Sequence, residues 1–324
     1  MKNMLLYLSL IILLVVIVSP VFGDDSLHYY LEKGGKAFAR DDFPEALQFY
    51  HDALRFDSTS LNALSNLGIL YSLKQEHRKS LKYLLKAEQV DSTDADIYNS
   101  LGITYTYLSD TVSAIKNYRR AMTLEPNKTE YVRNLAALLM ARSKLNETQS
   151  MLSRAVENDT TDAEAYYMLG KIVAAKKNYN SAENYLEKTV DLKPWELKYL
   201  FLQAFIKEKL EKIDEAEAIY KRVVTLQPAH FDGRERLGVL YIKMKRYPDA
   251  LVQFEEAIKI RPKDLNLQMM LGAVYYFNAK PDESREIYEK LKEKNPEMAE
   301  KMLNLIKIGV DERLSEMDST KQKE

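Results

Sequence analysis

The chain contains no cysteine among its 324 residues, and its net charge is only −1 because 47 lysines and arginines face 48 aspartates and glutamates. The first absence excludes disulfides and thiolate metal sites. The second is a lack of charge of either sign, whereas proteins that bind phosphate backbones carry a strong positive excess. We therefore expect no nucleic acid among the partners of this protein.

Motifs for catalysis and for metal binding are also lacking. The four histidines, His28, His51, His77 and His230, are not spaced with a second histidine or a carboxylate as a helical zinc site requires. The segment 91–96 resembles a calcium loop, but it has no glycine at its sixth position and no glutamate at the twelfth. There is no phosphate-binding glycine loop and no Gly-x-Ser-x-Gly motif. We expect no enzyme activity, no catalytic residue, no cofactor and no metal.

The longest hydrophobic run lies near the beginning of the chain, from Met4 to Val18, with Lys2 before it and small residues up to Gly23 after it. The run is shorter than the roughly 20 residues that a membrane-spanning helix needs. This pattern predicts a signal peptide over 1–23, with Asp24 as the new first residue. The alternative is an uncleaved signal anchor. Both place the rest of the chain outside the cytoplasm, in the periplasm, the cell envelope or the extracellular space.

The remainder of the chain repeats itself. From Leu27 onward, eight blocks of 34 residues follow one another without insertion or deletion. Six of the ten glycines stand at the eighth position of a block, and the other two blocks have alanine there. Such a period is typical of stacked structural repeats. The predicted repeats are 27–60, 61–94, 95–128, 129–162, 163–196, 197–230, 231–264 and 265–298.

Two further columns and the prolines define the elements within each block. The twentieth position is always small and the twenty-fourth is always large and apolar, as in Ala114 and Tyr118. Proline stands at the thirty-second position in five blocks, where a helix is expected to stop. Each block therefore predicts helix A over positions 1 to 14 and helix B over positions 18 to 31, and no segment has the pattern of a strand. We expect columns eight and twenty to form the contact between A and B, with column twenty-four beside them.

These columns resemble the tetratricopeptide repeat (TPR) family. In the third block Leu101, Gly102, Tyr105, Ala114, Tyr118, Ala121 and Pro126 follow the family pattern, and in the seventh it recurs as Leu237, Gly238, Tyr241, Ala250, Phe254, Ala257 and Pro262. The resemblance implies an all-α fold, a right-handed α-solenoid of eight repeats. It also implies that helix A positions 2, 5, 6, 9, 12 and 13 line its concave face.

Some positions depart from the pattern. In the sixth block Gln203 and Lys207 replace residues that are apolar in most other blocks, so we expect looser packing near 200–210. After the eighth block, apolar residues from Met302 to Val310 predict an amphipathic capping helix over 299–310. The polar remainder, 311–324, is predicted to be a tail.

The concave positions supply the candidate site, and their character changes along the chain. In the early blocks they are polar, a type of residue that can hydrogen-bond the backbone of an extended peptide or can simply be solvated. In the later blocks they are apolar and aromatic, which is typical of a contact surface but also of internal packing or of burial under the C-terminal helix. The early set is Asn66, Asn99, Ser100 and Asn134. The late set is Tyr167, Met168, Phe201, Leu202, Phe205, Met269, Met270, Tyr276 and Phe277.

The resemblance and the lack of catalytic motifs favour a non-enzymatic protein–protein interaction scaffold. It would bind extended or helical peptide segments of partner proteins in an extracytoplasmic compartment. The alternative is a self-assembling structural solenoid, a homo-oligomer. A glycan or RNA binder, or an accessory domain of an enzyme, fits least. We expect contact with a membrane only through the N-terminal segment, if that segment is not cleaved.

Overall fold

A computed structural model of the protein describes residues 25–321, with side chains up to Val310. The predicted signal segment 1–23 lies outside the described residues. Within them every regular element is an α-helix, as the repeat pattern predicts. None of these helices has both the length and the apolar character needed to cross a bilayer. The all-α fold class is thus confirmed for the described part of the chain.

The helices fall into two compact units, Met1–Ala165 and Tyr166–Glu324, here called unit 1 and unit 2, and the boundary lies within α9. The helices are α1 (25–39), α2 (Phe43–Phe56), α3 (Leu61–Leu73), α4 (His77–Val90), α5 (Ala95–Tyr107), α6 (Thr111–Leu124), α7 (Thr129–Ala141), α8 (Leu145–Asn158), α9 (Ala163–Ala175), α10 (Tyr179–Leu192), α11 (Leu197–Lys209), α12 (Ile213–Leu226), α13 (Phe231–Lys243), α14 (Tyr247–Ile260), α15 (Leu265–Phe277), α16 (Pro281–Lys294) and α17 (Pro296–Lys321).

From α3 to α16 the helices alternate between 13 and 14 residues, and both kinds begin again every 34 residues. Helix B starts at position 17 of each block, one residue before the predicted start. Within each unit a helix contacts the next one along the chain, and in unit 1 helix A of one repeat also contacts helix A of the next, as in α3 with α5 and α5 with α7. A single hairpin cannot bury both of its apolar faces alone, so neighbouring hairpins stack.

The turn between helices A and B has the same backbone in every repeat. Its fifteenth position has a positive φ angle although none of the eight residues there is glycine. In the second repeat the N–H of Glu76 donates to the carbonyl of Tyr71 at 2.8 Å, and that of Gln75 donates to Ser72 at 2.9 Å. This is the Schellman ending of a helix, in which glycine is the usual residue because it alone adopts positive φ without steric cost. The eight residues are Asp41, Gln75, Ser109, Ser143, Lys177, Glu211, Lys245 and Ala279.

The glycine column lies against the bulky column twenty-four of the same repeat. A Cβ atom added to Gly102 would stand 2.6 Å from the ring of Tyr118, and one added to Gly238 would stand 2.9 Å from Phe254. The predicted arrangement is therefore corrected: column twenty-four does not lie beside the contact between A and B but forms it with column eight. Column twenty is buried in all eight repeats. The small residue at position eight makes room for the large side chain of helix B.

The expected looser packing near 200–210 is not found. Lys207 is buried, and its ammonium group lies 2.6 Å from Glu183, 3.1 Å from Glu187 and 2.7 Å from Glu215. Lys212 adds a second cation at 2.7 Å from Glu183. A buried charge is tolerated when it is paired and hydrogen-bonded. Ion pairs between α10, α11 and α12 thus replace the apolar contact that other repeats make at this position.

The pKa values of this cluster follow from the pairing. Burial alone would raise the pKa of Glu183, but hydrogen bonds from Lys207 and Lys212 outweigh burial and hold the pKa below its ordinary value. Burial alone would likewise lower the pKa of Lys207, yet its three carboxylate partners raise it above the ordinary value. Both groups are therefore charged at neutral pH.

The C-terminal helix α17 is longer than the predicted capping helix 299–310, because Pro296 fits in its first turn and the helix continues to Lys321. It packs on α15 and α16. Ala299 and Met302 are buried, and the sulfur of Met302 would lie 2.7 Å from a Cβ atom added to Gly272. In the eighth repeat the glycine column thus receives a side chain of α17.

Replacing Gln75 with glycine is expected to raise the free energy of unfolding by about 1 kcal/mol, because a positive φ angle costs an L-residue roughly that much. The neighbouring Lys74 has φ −76° and provides the matched control. Lys74→Gly should lower the free energy by about 1 kcal/mol, since there glycine only adds freedom to the unfolded chain. Urea denaturation followed by circular dichroism measures both. A loss of stability in Gln75→Gly would contradict this account of the turn.

Replacing Lys207 with methionine is expected to lower the free energy of unfolding by about 2 kcal/mol, because Glu183 loses a hydrogen bond to a charged group within a buried cluster. The control is Lys259→Met, which breaks an exposed ion pair with Glu256 and should cost less than about 0.5 kcal/mol. Equal effects of the two substitutions in urea denaturation would refute a structural role for the cluster.

The pH dependence provides a further check on the same cluster. The pKa of Glu183 is lowered in the folded state. The stabilisation by its ion pairs is therefore complete above the unfolded pKa of about 4.3 and is lost as the pH falls through the lower folded pKa. The difference between the natural chain and Lys207→Met should narrow in that acidic range.

Candidate functional site

In unit 1 the predicted asparagines are bonded to the protein itself. The side-chain amide of Asn66 donates to the carbonyl of Asn62 at 2.9 Å and to its side-chain oxygen at 2.6 Å, within one helix. The amide of Asn134 on α7 donates to the side-chain oxygen of Asn99 on α5 at 2.8 Å. Asn99 is buried, and its own amide lies 3.4 Å from Glu130. A bound peptide would have to exchange these bonds for its own.

Ser100, the fourth member of the early set, lies in a different environment. It lines a small cavity of about 130 Å³ with apolar side chains of α3 and α5, including Ile69, Leu73 and Ile103. The sequence analysis did not select these three residues. They occupy positions 9 and 13 of their blocks, which belong to the predicted concave stripe, so the repeat register itself could have identified them.

Cations surround the aromatic rings of the late set in the fifth and sixth repeats. The ammonium groups of Lys171 and Lys198 lie 5.5 Å and 5.6 Å from the ring centre of Tyr167. The ring of Phe205 has Lys209 at 5.2 Å and the guanidinium of Arg236 at 5.1 Å. A cation within about 6 Å of a ring is attracted to its electron-rich face. These rings are half-buried, so each combines an apolar surface with neighbouring positive charge.

The other residues of the late set on α9 and α11 are partly core residues. Met168 is buried and cannot reach a partner. The ring of Phe201 lies 5.9 Å from that of Tyr220 and 5.4 Å from that of His230, which anchors it to the next helices. Leu202 is half-buried against the core of α9 to α11. Together with Tyr167 and Phe205, Leu202 forms the accessible part of this surface, which we name the α9–α11 patch.

The remaining late residues lie beside α17. Met269 packs on the cluster that contains Met302, and the backbone of α17 at Gly309 passes against the ring of Phe277. Phe277 also stacks on Tyr247, with ring centres 4.7 Å apart. Met270 and Phe277 line a groove that α17 borders. Tyr276 is the only residue of the late set that is exposed, at 44%.

The structure therefore divides the late set into two places within unit 2. One is the α9–α11 patch with its surrounding cations, and the other is the surface of α15 next to α17. The predicted alternative of burial under the C-terminal helix applies to Met269 and Phe277. Among the described residues no group of three histidine, cysteine, aspartate or glutamate side chains could hold a metal ion.

The titratable groups near the patch are set by burial and by ion pairs. Glu208 is buried and accepts hydrogen bonds from Lys243 at 2.5 Å and from Tyr220 at 3.4 Å. Burial raises the pKa of Glu235, and the nearby carboxylate of Asp264 adds to the rise. The acidic groups on these helices are therefore buried or paired, while the cations lie over the aromatic rings.

Comparisons with known proteins identify the repeats. Three family models described as tetratricopeptide repeat match residues 241–306, 203–264, and both 95–128 and 163–194. A search of curated proteins found no match.

Among solved structures, the chain is similar to PilF of Pseudomonas aeruginosa, with 18% identity and a TM-score of 0.59 over 66% of this chain and 97% of that one. It is also similar to the C-terminal part of a TPR repeat-containing protein from Cytophaga hutchinsonii, with 13% identity and a TM-score of 0.59 over 74% and 99%. The anaphase-promoting complex assembly Cut9–Hcn1 gives 17% identity and a TM-score of 0.54 over 85% and 55%.

Identities this low demonstrate the fold alone. The family models, however, cover more than half of the chain between them, and their matches coincide with the helical pairs described above. The protein belongs to the tetratricopeptide repeat family.

Proposed function

We propose that this protein is an exported adaptor that binds an extended or helical segment of a partner protein on the α9–α11 patch. Its family makes it a protein–protein interaction scaffold in general terms. The single observation that supports this surface is the pairing of half-buried rings, Tyr167 and Phe205, with four cations. Aromatic and arginine side chains are enriched where proteins bind each other.

The chemistry of the patch favours a partner segment that carries both apolar and acidic side chains. Apolar side chains would cover the rings of Tyr167 and Phe205 and the side chain of Leu202. Carboxylates would meet Lys171, Lys198, Lys209 and Arg236, the cations around those rings. Complementary charge speeds encounter and selects against basic partners. In unit 1 the asparagines already bond to one another, so we assign them a secondary role in binding.

The partner surface is tested by crosslinking the full-length protein in its native cells and identifying the captured proteins. Leu202→Ser combined with Phe205→Ser is expected to reduce capture of a specific partner at least tenfold, a loss of about 1.4 kcal/mol of binding free energy. The control is Val252→Ser, which removes an apolar side chain that is 53% exposed on α14. Phe201 is left intact because its ring packs on Tyr220.

Circular dichroism of each variant shows whether it is folded. If the natural protein, the double variant and Val252→Ser all capture the same proteins to the same extent, the patch is not the binding surface. If the crosslinked species contain only copies of this chain, the protein is the self-assembling structure that the sequence also allows.

Export is the second part of the proposal, and it rests on the apolar segment before Gly23. Sequencing of the mature N-terminus is expected to begin at Asp24 in an extracytoplasmic fraction. Retention of Met1 in a membrane fraction would indicate an uncleaved anchor instead. Full-length protein in the cytoplasmic fraction would contradict export.

A further inference from the structure

A groove in unit 2 has a composition unlike the rest of the surface. It lies among α13, the turn that follows it, α15 and α17, and it is separate from the α9–α11 patch. Its walls are formed mainly by apolar side chains, including Ile242, Met270, Val274, Phe277, Leu305 and Ile308. The groove therefore offers an apolar surface that three helices from different parts of unit 2 enclose.

The size of the groove restricts what it can hold. Its volume is about 390 Å³. An engineered apolar cavity of about 150 Å³ takes up one benzene molecule, so this groove is too large for a single aromatic side chain. It falls at the lower end of the range of about 300 to 1,000 Å³ that is usual for small-molecule sites. A flexible chain of several methylene groups matches both the volume and the apolar walls.

Two lysines are the only charged residues among those that line the groove, Lys243 at the end of α13 and Lys245 in the following turn. The ammonium group of Lys243 lies 2.5 Å from the buried carboxylate of Glu208, which offsets its charge. Lys245 brings a further positive charge to the same end, and no carboxylate belongs to the lining. This end of the groove is therefore complementary to an anion.

The side of α17 that faces the groove is incompletely covered. Its buried stripe consists of Ala299 and Met302, with Ile306 packed against the same cluster. Leu305 and Ile308 point elsewhere and remain 37% and 56% exposed. Exposed apolar surface that borders a concave site is typical of a surface covered by a ligand.

We infer that this groove binds a single acyl chain with an anionic carboxylate head, a fatty acid, with the chain between α15 and α17 and the head at Lys245. A peptide would place side chains in separate pockets and would leave most of this continuous volume unfilled. The inference does not depend on the α9–α11 patch, because none of the residues of that patch lines the groove.

Isothermal titration calorimetry of the full-length protein with dodecanoate, below its micelle concentration, tests the inference. We expect saturable binding with one molecule per chain. Ile308→Asp places a carboxylate on the apolar wall and should weaken binding at least tenfold. The matched control is Leu303→Asp, because Leu303 is 47% exposed on the same helix but does not line the groove. This control should bind dodecanoate as the natural protein does.

The head group is tested separately with Lys245→Glu and with dodecyltrimethylammonium, which has the same chain and a positive head. Lys245→Glu should weaken dodecanoate about tenfold and should improve binding of the cation. Absence of saturable dodecanoate binding would overturn the inference, and so would equal affinity of the natural protein for the two amphiphiles. Equal losses in Ile308→Asp and Leu303→Asp would overturn it as well, because binding would then be unspecific. Circular dichroism confirms that each variant is folded.

Discussion

In each hairpin a small residue of helix A lies against a bulky residue of helix B, and the rest of the structure depends on this contact. The helices can approach only because position eight has no side chain, or only a methyl group, where Tyr118 or Phe254 fills the space. The approach also requires the turn between the helices to reverse the chain within three residues, which the positive φ angle at its centre achieves. Packing and turn geometry therefore support the same arrangement, in the way that consistent local and global preferences specify one structure.

The sixth repeat shows that the contact tolerates different chemistry. There Lys207 takes a position that is apolar in most repeats, and three carboxylates from the neighbouring helices neutralise it. A buried charge without partners would be costly, whereas a paired one is compatible with a well-packed hairpin. The charged residues that looked like a defect in the sequence thus belong to a network whose members are far apart along the chain.

The same framework explains why the candidate sites differ between repeats. Helix A positions that share a register do not share an environment: Asn99 is buried between two helices, Phe205 lies under two cations, and Phe277 lies under the backbone of α17. The repeat provides a regular set of positions, and neighbouring helices decide which of them contact a partner. The C-terminal helix covers the last such surface and creates a groove with an edge of its own.

The sequence by itself determined the helices, their spacing of 34 residues and the small and bulky columns, because these features follow from local periodicity repeated eight times. It also identified the stripe from which the candidate residues come. Only the tertiary structure decided that Met168 is buried, that Asn134 bonds to Asn99, that Lys207 is paired, and that α17 borders a groove with Lys245 at one end. These outcomes depend on contacts between residues of different helices, and a periodic pattern specifies the face of a helix but not the side chains that it meets.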